Sequence, residues 1–127
     1  MAESDYNPIQ ITIDMKKSRL RIFKSTLHHL GDPKYIMLLV NPEKKLIAIK
    51  AQEKRSRESC DFQVSKQRLL SDNSIEIYGD LFVHKLNDIT DIFKDGNTYS
   101  INGKLVDSDR AALFQLQDAV KYIQEDI

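Results

Sequence analysis

The chain has 127 residues, equal numbers of basic and acidic side chains (19 each), a single cysteine and no tryptophan. A domain of this size buries roughly two-thirds of the surface its unfolded chain exposes, so it needs no covalent staple, and the lone Cys60 excludes an intrachain disulfide and fits a reducing compartment. No apolar run approaches the ~18–20 residues that span a bilayer, and the opening MAESDYNP lacks the basic head and apolar core of a signal peptide, so a cytoplasmic protein without a membrane partner is expected.

The zero net charge conceals an asymmetry. Residues 1–70 carry 14 Lys/Arg against 8 Asp/Glu, and residues 71–127 carry 5 against 11. A basic half hints at an anionic partner. The alternative is that the two halves attract each other, within one chain or between subunits.

Ile9, Ile11, Ile13 and Met15 alternate with Gln10, Thr12 and Asp14, the period of a half-buried strand. Lys16-Lys17-Ser18 reads as a turn. Leu20 and Ile22 then alternate with Arg19 and Arg21, which predicts a second strand with both arginines facing away from the core and exposed to solvent. Ser25 is placed to cap a short helix with Leu27 and Leu30 inward and Gly31 just past its end. Tyr35–Val40 and Lys45–Ala51 read as an antiparallel pair joined at Asn41-Pro42-Glu43-Lys44. Together these make a β-β-α-β-β unit.

Residues 53–60 form a charged linker. Asp61–Val64 suggests a short strand, Ser65–Leu70 a helical turn and Ser71–Ser74 a turn. Ile75 and Ile77 suggest a strand, Gly79-Asp80 a turn, and Leu81/Val83 the start of another strand. Leu86, Ile89 and Ile92/Phe93 have helical spacing. Thr98–Val106 is strand-like but contains Asn102-Gly103, the strongest two-residue hairpin signal. Ala111–Leu116 reads either as part of a helix running on from Asp107 or Ser108, or as a strand returning across a turn at Asp107–Arg110. Asp118–Glu125 reads as helix in both cases.

The halves 9–51 and 75–125 can be laid over each other, with Leu20–Lys24 on Leu81–Lys85, Tyr35 on Tyr99 and Val40-Asn41 near Val106-Asp107. The expected fold is therefore one α+β domain over residues 1–127, mostly antiparallel. It has the β-β-α-β-β N-terminal unit, a C-terminal half that repeats it in degenerate form or packs helices on it, and a C-terminal helix.

The run Asp14, Lys16-Lys17-Ser18-Arg19, Leu20-Arg21-Ile22, Lys24–Leu30-Gly31, Tyr35–Val40 and Lys45–Ile49 resembles the AbrB/MraZ superfamily of bacterial DNA-binding proteins. There a strand ends in Asp and a basic Gly-Arg turn, followed by a short strand, a short helix ending in Leu-Gly and a β-hairpin. The resemblance covers about residues 9–51. It departs at Ser18, where the family has Gly, at Phe23, where it has Pro, and in the spacing of Asp14 and Arg19. It implies a duplex-DNA-binding, transcription-regulating homo-oligomer whose DNA contacts fall on Lys16, Lys17, Arg19, Arg21 and Lys24.

Other chemistry finds little support. His28-His29 are adjacent, so on a helix they diverge, and no Cys-x-x-Cys or His-x-x-x-His spacing occurs. Only four glycines are present, none in a phosphate-binding loop, and the aspartates fall at turns and caps where Asp is common. Neither an enzyme nor a cofactor or metal is expected. Arg19 and Arg21 on a two-stranded ribbon can reach phosphates or guanine edges. The rival from another class is a non-enzymatic assembly module whose basic and acidic halves dock in a homo-oligomer.

Overall fold

Alternating isoleucines build the first strand. Strand β1 (Ile9–Asp14) buries Ile9, Ile11 and Ile13, and β2 (Arg19–Phe23) buries Leu20 and Ile22 against them, with Ile13 opposite Leu20 and Asp14 opposite Arg19. The computed structural model describes residues 9–55, 61–94 and 96–121. Helix α1 (Lys24–His29) follows β2 directly. Its cap residue is Phe23 rather than Ser25, and the Lys24 N–H is satisfied by the carbonyl of Asn73 at 2.8 Å. The buried Thr26 hydroxyl both accepts from the N–H of Gln10 and donates to its carbonyl, each at 3.1 Å, which ties α1 to β1. Strands β3 (Tyr35–Asn41) and β4 (Leu46–Gln52) pair along their whole length.

In the second half β5 (Asp61–Gln63) adds to β3, and α2 (Lys66–Asp72) is capped by Ser65, whose hydroxyl accepts the Arg68 N–H. Strand β6 (Ser74–Tyr78) pairs with β2. The strand expected to start at Leu81 is instead helix α3 (Asp80–Ile89). Gly79 breaks the chain there, and Val83 and Leu86, three apart, are the buried pair while Leu81 is exposed. Strand β7 (Thr98–Val106) runs straight through Asn102-Gly103, so the hairpin signal is overridden. A 3-10 turn at Asp107–Asp109 leads into β8 (Ala111–Gln115), which pairs with Lys104–Val106 as the strand alternative predicted and also with β4. A helix beginning at Asp118 does not form over the described residues: Leu116–Asp118 is a 3-10 turn and Val120–Lys121 pairs with β7 as β9. Residues 122–125 lie outside the described part.

The strands form one antiparallel sheet in the order β5-β3-β4-β8-β7-β1-β2-β6, with β9 beside β7, curled into a nearly closed barrel around Ile11, Ile22, Ile36, Ile47, Ile49, Ile101 and Phe114. Read outward from the β4–β8 pair, the order is β3 then β5 on one side and β7 then β1 on the other. β2 and β6 also pair. The strand order is thereby close to two-fold, except that β1 pairs with β2 while no pairing joins β5 to β6 among the described residues. Gly31 and Gly96 (φ +86° and +72°) and Lys45 and Arg110 (φ +53° and +48°) stand at equivalent points, 65 positions apart in each case. In this order β6 takes the place of β2, and Leu81–Lys85, the segment aligned with β2 in the sequence, is part of helix α3.

Candidate nucleic-acid interface

The β1–β2 turn is organised by one carboxylate. Asp14 Oδ1 accepts the backbone N–H groups of both Lys16 and Lys17 at 3.1 Å, while Oδ2 accepts from Arg19 at 3.4 Å. Ser18 adopts the left-handed conformation (φ +51°), where glycine is the residue of least strain. Its carbonyl accepts the Gly79 N–H at 2.9 Å, which anchors the turn to the start of α3. Backbone groups are thereby spent inward, and the Lys16 and Lys17 side chains project into solvent. Among the described residues no carboxylate pairs with either.

The arginines behave differently. They face away from the core, as their alternation predicts, but they are not free in solvent. Arg19 is 19% exposed at its side chain and bridges Asp14 (3.4 Å) and Glu76 (3.3 Å). Arg21 lies opposite Glu76 in the β2–β6 ladder and donates to it through Nε at 3.1 Å and also through Nη2. Tyr78 adds its hydroxyl to the same carboxylate at 3.1 Å. The Arg21 hydrogen bond, helped by Tyr78 and the charge of Arg19, holds the Glu76 carboxyl below the usual glutamate range in spite of its partial burial. Sequence reading missed Glu76, although the Ile75/Ile77 alternation already placed it on an outward face.

Lys24 is set apart from the turn. It opens α1 at the far end of β2, and five residues of strand separate the two ends by about 15 Å. The five predicted DNA-contacting residues therefore divide into an unpaired turn (Lys16, Lys17), a neutralised ribbon (Arg19, Arg21) and a distant lysine. The second half has no matching basic turn. Between β5 and β6, where the first half has Lys16-Lys17-Ser18, the chain inserts α2.

His28 and His29 are exposed; His28 Nδ1 lies 3.2 Å from Asp32 and His29 Nδ1 lies 2.7 Å from the Ser25 carbonyl. Among the described residues no three His, Cys, Asp or Glu side chains gather as a metal site, and no helix is long and apolar enough to cross a membrane. Tyr99 and Phe114 are core residues, with Tyr99 edge-on to Phe93; Tyr122, Arg57 and Cys60 lie outside the described residues. Arg55 sits 5.8 Å from the centre of the Tyr35 ring. The chain matches no protein-family model, no curated protein and no solved structure.

Proposed function

We propose that this is a non-enzymatic duplex-DNA-binding protein of the AbrB/MraZ-like kind, regulating transcription as a homo-oligomer, with the β1–β2 turn laid on the phosphate backbone. The observation that carries the reading is the turn itself. Asp14 holds both backbone N–H groups, and two adjacent lysines are left without a carboxylate partner among the described residues. A phosphate is the natural partner for such a pair, since binding it releases condensed counterions. The two-fold order of the barrel strands, the Asp-to-basic-turn sequence and the short helix before a hairpin add support. In this reading Lys16 and Lys17 touch DNA, and Arg19 and Arg21 hold the ribbon in shape. An oligomer is required because a neutral protomer offers too few phosphate contacts alone.

The rival, basic and acidic halves docking between subunits, has less support. Arg19 and Arg21 of the basic half meet Glu76 of the acidic half, so part of the opposite-sign charge is already paired inside one chain. The test is fluorescence anisotropy on a labelled duplex at low salt. Lys16→Ala with Lys17→Ala is expected to weaken binding at least about tenfold. Undiminished binding by that variant, or none by the wild type, removes the proposal.

A further inference from the structure

The two-fold symmetry of the barrel fails at α2, and a groove forms there. It runs between α1 and α2, has a volume of about 390 Å³, and is floored by Leu27, Pro33 and Val64. Leu69 and Leu70 form one wall, and Leu70 is 78% exposed, an apolar side chain that the core does not use. The rim is basic: Lys24 stands on α1 and Lys66 on α2, and neither has a carboxylate partner among the described residues. Asp32 is the single acid lining the groove, and it is engaged with His28 at 3.2 Å.

The lining takes in Lys24 to Leu27 on α1 and Lys66 to Leu70 on α2, about one turn of each helix. That is the reach of apolar anchors at i and i+3/i+4. The volume falls in the range of specific pockets. Apolar walls under a positive rim complement a helix with an apolar stripe and acidic flanks.

We propose that the α1–α2 groove docks an acidic amphipathic helix of a protein partner, with its apolar stripe on Leu69 and Leu70 and its carboxylates on Lys24 and Lys66. The site is separate from the Lys16-Lys17 turn and does not depend on the DNA reading.

The probe is a fluorescein-labelled peptide of about 14 residues, with leucines at i, i+3, i+4 and i+7 and glutamates elsewhere. Saturable binding to the full chain is expected by anisotropy, with shifts of the Leu27, Leu69 and Leu70 methyl resonances. Leu70→Glu and the pair Lys24→Glu/Lys66→Glu, all at exposed positions, should each weaken it at least tenfold. A peptide of the same composition with its leucines dispersed around the helix should bind at least tenfold less well. Lys16→Ala/Lys17→Ala should leave peptide binding unchanged. The proposal is overturned by an absence of saturable binding, by equal binding of the dispersed peptide, or by retention in Leu70→Glu. It is also overturned if a single-stranded oligonucleotide binds the same lysines more tightly than the peptide and is indifferent to Leu70.

Discussion

Glu76 is where the two arginines of β2 converge, and its carboxylate decides what they can do. It accepts from Arg21 and Tyr78 and is ion-paired with Arg19 at 3.3 Å, while only 18% exposed at its side chain. Glu76→Gln should therefore lower stability by about 1.5–3 kcal/mol near neutral pH, the scale of hydrogen bonds to a charged group, measured by urea denaturation. The carboxyl is held below the usual glutamate range, chiefly by Arg21. A group with a depressed folded-state pKa contributes its full stability above the unfolded pKa, about 4.3 for glutamate. That contribution is lost as pH falls through the lowered folded value. The acid limb of the wild-type stability curve should be steeper than that of Glu76→Gln in this window; parallel limbs would show that Glu76 contributes no linkage. The same substitution releases Arg21, so under the proposed function DNA affinity at low salt should rise even as stability falls.

At the scale of elements, the two hairpins solve one packing problem in different ways. Leu38 faces Ile49 in β3–β4, whereas the equivalent positions, 65 residues on, are Gly103 and Phe114. A Cβ on Gly103 would lie 2.6 Å from the Phe114 ring and 2.6 Å from the Leu113 carbonyl. Gly103→Ala should cost about 1–3 kcal/mol by overpacking. Adding Phe114→Leu should recover part of that loss, so that the double variant is more stable than the sum of the singles predicts; strict additivity in a thermal-melt cycle would refute the trade. This is also why the Asn102-Gly103 signal misled: the glycine serves close approach inside a strand, not a tight turn. β1, β2, α1, β3 and β4 were legible because each is a local alternation or a local helical spacing closed by turn residues. α3 was not, since Leu81-Phe82-Val83 reads as strand until the Val83/Leu86 spacing is given priority. The β4–β8 and β2–β6 pairings join segments more than fifty residues apart, as Arg21 and Glu76 are, and no local pattern carries them. The site was legible to the same degree: positions of the charges could be read, their partners could not.

For the whole molecule, the halves are interlocked rather than adjacent. β1 lies between β2 of its own half and β7 of the other, and β4–β8 and β2–β6 join the halves at two further places. Neither half can close a sheet by itself, so unfolding followed by far-ultraviolet circular dichroism and by tyrosine fluorescence should give one coincident transition. The interlocking also fixes how many basic turns a protomer can show. A true two-fold barrel would present the β1–β2 turn twice, but α2 replaces the second, so Lys16 and Lys17 have no counterpart between β5 and β6. Each neutralised phosphate contributes about −0.9 to the slope of log affinity against log salt. One protomer on DNA should then give a slope of about −2, and a dimer with both turns on one duplex about −4. Lys17→Ala should remove about one unit per protomer engaged. Titrations between low and moderate salt, with stoichiometry from sedimentation of the complex, separate these cases. A slope near −4 from a one-to-one complex would mean that basic groups beyond the turn, such as Lys24 or Lys66, lie against the duplex. A slope near −2 from a two-to-one complex would leave one turn off the DNA. Either result would refute the arrangement proposed, in which every protomer of the oligomer uses the turn that Asp14 holds open.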